Sequence, residues 1–336
     1  MIARYCITGR FVKRIAVFIS CAILVFNTAG CGKPTYPKEK FKESIIRLCK
    51  SEYKLDVKVA TKGKTVVIYL PLPNLIDFTF AITKSASEKI NNVILSVTRV
   101  AISTDADYDF YVIIAHDVRI PEIQIIIIKS VDDVKRFLLG SISRDDYSKR
   151  MLIDMRLNPQ AQKERSVREV FEKMGLDPKW QDQVMNDFFR SEPTALSDIG
   201  YWNGRFYVKD ILLGEFIADQ IASRIRMVFR DDAKIAEKMS LKLAKGSYLS
   251  KGDKRYFKIE TMVQAKILPE ASDSVISENL MGILFKTASD VIWKYKFDDF
   301  DYLEIYDQTS SKSVKFSKED LEAVKKKEKK IEDLIK

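Results

Sequence analysis

Histidine is nearly absent from this chain: among 336 residues there is one, His116. A single imidazole cannot build a multi-histidine zinc site. Beside Asp117 it could serve as a general base, but that chemistry also needs a nucleophile or a positioned water, and no serine or cysteine stands in a recognisable elbow. His116 therefore reads as a strand-end histidine near the surface. There is no glycine-rich phosphate loop and no paired-cysteine metal motif, so nothing calls for a cofactor or a resident metal. Cysteine is scarce too: Cys6, Cys21, Cys31 and Cys49. The first three fall within the first 31 residues, which leaves Cys49 without an intrachain partner. Cys49 continues the helical stripe of Phe41, Ile45 and Leu48 and reads as a small core residue. Without disulfides the cores must hold the fold unaided. The apolar run IAVFISCAILVF, from Ile15 to Phe26, would rise only about 18 Å as a helix, short of the ~30 Å hydrocarbon core.

What stands around that run is a basic start (Arg4, Arg10, Lys13, Arg14) and a stretch of small residues ending in Cys31. That order is an export signal rather than part of the fold. The stretch NTAGC resembles the end of a bacterial lipoprotein signal, with Thr28 where an aliphatic residue is usual. The resemblance implies that residues 1–30 are removed and that Cys31 carries the acyl chains. It also implies a membrane partner through that anchor, and a place at the bacterial cell envelope facing the periplasm or exterior. Acyl chains bind stably when there is more than one, at ~0.8 kcal/mol per buried methylene. Residues 31–37 then form a short polar tether. Removing the signal leaves 336 − 30 = 306 residues and takes four of the 57 basic residues, so 53 face 47 acids and the net charge falls from +10 to +6. This mild basicity, together with an export signal, argues against a nucleic-acid partner.

The chain nearly repeats itself: KLDVKVA at 54–60 and KMSLKLA at 238–244 both alternate apolar and polar residues as half-buried strands do. Leu55, Val57 and Val59 form one apolar face; Met239, Leu241 and Leu243 form the other. The order of elements around them repeats as well. Each half reads helix, two strands joined by a Lys-Gly turn, a long helix (83–103; 274–294), two strands, and a helix opened by serine. The serines are Ser130 and Ser317, with Asp133 and Asp320 three residues on. The expected fold is α+β: two similar α-β-β-α-β-β-α units with mostly antiparallel sheets, at 38–149 and 206–336. A helical linker segment at 150–205 joins them. In that linker Asn158-Pro159 and Asp177-Pro178 open helices. Their apolar stripes run Val167, Val170, Phe171, Met174 and then Trp180, Val184, Phe188, Phe189. In IQIIIIK, Ile125 and Ile127 face one way and Ile126 and Ile128 the other, so this strand should be covered on both sides.

The remaining candidates are acidic. Asp105, Asp107 and Asp109 follow the first long helix, and Asp298, Asp299 and Asp301 follow the second. Carboxylates at a helix C-terminus are mildly unfavourable, by ~0.3–1 kcal/mol, and invite a cation or a basic partner; calcium would be the natural hard cation, although the spacing lacks the calcium-loop glycine. The last helix, KEDLEAVKKKEKKIEDLIK, places Leu321, Val324, Ile331, Leu334 and Ile335 on one stripe. These readings favour a lipid-anchored envelope protein that binds or scaffolds an envelope protein partner without catalysis. The alternatives are a tethered hydrolase or cell-wall enzyme using Asp/Glu residues, which needs carboxylates converging in a cleft, and a small-ligand binding module with a pocket between the halves.

Overall fold

The structure, a computed structural model, describes residues 35–188, 193–266 and 273–335. Cys31, Phe189 and the side chains of Val184, Phe188 and Ile276 lie outside the described residues.

In chain order the first unit contains α1 (Phe41–Tyr53), β1 (Lys58–Lys62), β2 (Thr65–Leu72), α2 (Lys84–Ile102), β3 (Phe110–Asp117), β4 (Ile123–Ser130) and α3 (Val131–Leu138). After the short α4 (Arg144–Lys149) comes β5 (Leu152–Leu157), then α5 (Pro159–Lys173) and α6 (Pro178–Phe188). A small hairpin follows, β6 (Gly200–Trp202) and β7 (Arg205–Tyr207). The second unit contains α7 (Leu213–Asp231), α8 (Ala233–Lys238), β8 (Met239–Lys251), β9 (Lys254–Ala265), α9 (Asp273–Tyr295), β10 (Tyr302–Asp307), β11 (Lys312–Ser317), α10 (Lys318–Lys325) and α11 (Glu332–Ile335).

The fold is α+β, and the two halves share their connectivity. The first sheet runs β1-β2-β3-β4-β5 and the second β8-β9-β10-β11. In each, a central parallel pair (β2 with β3, β9 with β10) is flanked by antiparallel pairs. The parallel pair needs a crossover, and the long helices α2 and α9 supply it. The leading hairpins turn on Gly63 and Gly252, both at positive φ, where a Cβ would be strained.

Three cores follow from this layout. On one face of the first sheet, α1 and α2 bury Phe41, Ile45, Cys49, Val93 and Val97 against Ile68, Ile113 and Ile125. In the second unit, α7 and α9 bury Ile217, Ile221, Leu284 and Phe285 against Phe257, Ile259 and Leu303. The opposite face of the first sheet, with Val67, Val112, Ile114, Ile126 and Ile128, is covered by Leu196, Ile199, Tyr201 and Ile211, and by Phe216 from α7. The isoleucine run of β4 is thus buried on both sides, by the connecting segment and the second unit together. Phe216 lies 5.0 Å from the Phe110 ring and 5.9 Å from the Tyr295 ring at the end of α9.

Several expectations need correction. The connecting segment is not all helical: β5 adds a fifth strand to the first sheet, so that unit extends past residue 149 to Leu157. The stripe on α5 is only half buried, because Val167 and Phe171 pack on Met185 and Tyr207 while Val170 and Met174 stay exposed, as does Trp180 on α6. A β-bulge between Leu241 and Leu243 shifts the register of β8, turning Ala244 to the core and leaving Leu243 exposed. Ser317 caps α10 reciprocally with Asp320, but Ser130 makes no side-chain cap. Its partner Asp133 is drawn away into a buried pair with Arg150 (2.8 Å) and a hydrogen bond from the Tyr295 hydroxyl (3.0 Å). The C-terminal helix breaks after Lys325, with Lys327 in the left-handed region, where a run of lysines repels itself at helical spacing.

Candidate functional site

Helix α7 packs on both sheets, so one side of it is left facing the gap between the units. Ile217, Ile221 and Ile225 point into the second core and Phe216 onto the first sheet. Glu215, Asp219, Ser223 and Arg226, at helical spacing, line the gap itself. The gap is a cleft of about 620 Å³, within the size range of small-ligand sites. Its other walls are β5, the segment 194–197 and the outer strand β8 from Leu243 to Leu249. Neither β5 nor β8 has a second strand partner among the described residues, so the cleft is bordered by two sheet edges.

Most polar groups in the cleft are committed. Arg156 of β5 pairs with Asp154 at 2.8 Å and donates to the carbonyls of Ile199 (2.7 Å) and Leu196 (3.3 Å), which fastens the segment after α6 onto the sheet. Arg226 donates to the Ala244 carbonyl at 2.7 Å, tying α7 to the edge of β8. Glu215 accepts from Lys209 at 2.5 Å, and Lys209 also reaches the Thr194 carbonyl. Asp219 and the exposed Lys245 of β8 are the exceptions, since neither is hydrogen-bonded to a described residue. Burial pushes the Asp219 carboxyl up to about 6, with Asp154 and Glu215 adding repulsion against the pull of Arg226 and Arg156. A part-buried carboxylate without a hydrogen bond is a group waiting for a donor.

The acidic turns lie elsewhere. Asp105 accepts the Lys38 backbone N–H at 2.7 Å, and Asp107 and Asp109 both face Lys64, at 2.7 and 3.6 Å. Asp299 pairs with Arg255, whose own backbone N–H donates to Asp301 at 2.7 Å, while Lys318 donates to the Asp298 carbonyl at 2.7 Å. The two clusters occupy equivalent loops of the two units and are not brought together. Each meets protein cations rather than a shared ligand shell, and among the described residues no three His, Cys, Asp or Glu side chains converge as a metal site requires.

His116 is not near the surface but buried, with Nδ1 unpartnered, its ring 5.5 Å from that of Tyr69. Burial lowers its pKa, against the pull of Asp117 and Glu122. The covering hairpin β6–β7 seals it in, with Tyr201 stacked on Tyr69 at 3.7 Å. Asp117 is fixed by the Leu75 and Arg119 backbone N–H groups and the Arg119 side chain; burial opposes ionisation, yet these donors hold it at about 2. Cys49 is buried and its thiol pushed up by desolvation, so it stays in the unreactive thiol form.

Asp219 and Arg156 escaped the sequence reading because the polar stripe of α7 looks like any wetted helix face. The one usable signal was that α7 is apolar over much of its remaining circumference, which implies two packed sides and little room for idle charge. No model of a known protein family, no curated protein and no solved structure matches this chain.

Proposed function

We propose that the protein is a lipid-anchored component of the bacterial cell envelope whose body binds another envelope component, without catalysis, in the cleft between its two units. The anchor part rests on NTAGC and the implied acylation of Cys31. The binding part is carried by Asp219, a desolvated carboxylate without a hydrogen-bond donor, set in a cleft of ligand size where Arg156, Arg226 and Glu215 are already bonded. The ligand chemistry that fits is an N–H-bearing or cationic group presented within an otherwise apolar and hydrogen-bonding surface. In-cell photo-crosslinking tests this. A photoreactive residue at Ser223 is expected to give a discrete adduct that Asp219→Asn removes and that the same probe at Lys312 does not give. Identical products at both positions, or none at Ser223, would refute it. Metabolic labelling with a fatty acid is expected to mark the wild type and spare Cys31→Ser; equal label on both removes the anchor.

A tethered hydrolase draws on the same group, since a carboxyl near 6 is suited to general-acid work. Its weakness is the missing second carboxylate: Asp154 is held by Arg156 and Glu215 by Lys209. Turnover of a cell-wall glycan or peptide by the purified chain, abolished by Asp219→Asn, would favour this reading over binding.

A further inference from the structure

Between β2 and α2 the chain projects a short finger, residues 74–83, whose tip is apolar. Phe78 is 96% exposed and Phe80 64% exposed, with Ile82 beside them at 40%. The next turn, bound to the finger's base by Arg119 donating to the Ile76 carbonyl at 3.2 Å, adds exposed Val118 and Ile120. The finger is built, not loose. The Asp77 carboxylate accepts from the Thr79 N–H (2.8 Å), the Thr79 hydroxyl (2.7 Å) and the Ala81 N–H (3.0 Å). Its backbone closes the loop, with the Asp77 N–H to the Ala81 carbonyl at 2.9 Å and the Phe80 N–H to the Asp77 carbonyl at 3.1 Å. Thr83 N–H and Leu75 carbonyl close the base at 3.1 Å. Phe80 also sits at φ +61, a conformation glycine or asparagine would adopt with less strain.

We propose that this finger is a bilayer-contact element, with Phe78 and Phe80 entering the headgroup–acyl boundary of an anionic membrane. Two phenylalanines on a convex tip leave no concavity for a partner's side chain, and suit a fluid apolar phase. Because the tip's amides are largely satisfied from within, it can leave water without stranding donors. Where α2 leaves the base of the finger it carries Lys84 and Lys89 against Glu88 alone, which suits an anionic surface. The chain enters the described structure where Tyr36 meets Ser103 at the far end of α2, and that helix of 19 residues is about 28 Å long. The finger thus lies at the opposite end of α2 from Tyr36. It does not depend on acylation of Cys31 or on the cleft.

The test uses the full chain with Cys6, Cys21 and Cys31 replaced by serine, leaving only the buried Cys49, and an environment-sensitive fluorophore attached at Phe78→Cys. Vesicles of phosphatidylethanolamine and phosphatidylglycerol are expected to shift its emission to the blue and expose it to quenchers placed in the acyl chains. A fluorophore at Lys312→Cys should do neither. Adding Phe80→Ser should abolish the shift and Phe80→Leu should keep it. Emission at position 78 that stays as in buffer while the protein sediments with the vesicles, or a shift insensitive to Phe80→Ser, would overturn the proposal.

Discussion

At Asp219 burial raises the folded-state pKa to about 6 from an ordinary 3.8. The native state therefore holds the proton more tightly than the unfolded chain does. The stability this gives is complete below pH 3.8 and is lost as pH climbs through about 6. At 1.36 kcal/mol per pH unit, ionisation costs the fold roughly 3 kcal/mol at neutral pH. Asp219→Asn should accordingly stabilise the protein by about 2–3 kcal/mol at pH 8 and hardly at all near pH 3.5, read by urea unfolding at both values; equal effects would mean the carboxyl is not desolvated. Lys129 shows the mirror case. It is buried, donates to the Tyr147 hydroxyl at 2.7 Å, and is held at about 8 against 10.5. Its penalty is full below about pH 8 and fades as pH rises toward 10.5. Lys129→Met should therefore gain about 2–3 kcal/mol at pH 7, a gain that shrinks by pH 10. Neither group was legible in the sequence. Lys129 ends a run of isoleucines and reads as the polar stop of a strand. Asp133 reads as a capping carboxylate, yet it is spent on Arg150. Burial of an individual charge depends on what the next layer places over it, and local period says nothing of that.

Helix α7 and strand β8 meet closely enough to need glycine. A Cβ at Gly246 would overlap the Ala218 carbonyl, so the backbones must part if one is added. Gly246→Ala should destabilise by about 1–3 kcal/mol as an overpacking change. Gly282, inside α9, is the control: the nearest atom to its absent Cβ is 3.9 Å away and its φ is ordinary. There alanine should raise stability by about 0.5–1 kcal/mol through helix propensity alone. Thermal melts of both variants check the pair, and a shift of the same sign in both would contradict this packing. Elements as such were legible: the order of helices and strands was read correctly in both halves, although KLDVKVA is a strand only from Lys58 on and the parallel pair bridged by each long helix was not foreseen. The misreadings lie where the local rule met a competing one. The bulge in β8 turned Leu243 outward, and the lysine run divided the last helix. Leu152 to Leu157, six residues of mixed polarity, joined a sheet whose neighbouring strand offered an open edge.

The two units do not simply sit side by side: the second supplies part of the first one's core. Phe216 is wholly buried between the Phe110 and Tyr295 rings, on the sheet face that carries Ile126 and Ile128. Arg150 adds a polar fastening, bonded to Asp133 and stacked over the Tyr295 ring at 4.9 Å, while Gln220 donates to its carbonyl at 2.6 Å. Breaking a buried charge pair typically costs 3–5 kcal/mol, and so does emptying a buried phenylalanine site. The molecule should therefore unfold in one transition, and Phe216→Ala should lower that transition as a whole by about 3–5 kcal/mol rather than split off the second unit. Calorimetry distinguishes these outcomes, because independent units would give two peaks with only the later-numbered unit shifted. The cleft follows from the same coupling. Its walls belong to β5, α7 and β8, so a substitution that loosens Phe216 should also weaken whatever contact Ser223 makes in the crosslinking experiment, even though Phe216 does not line the cleft.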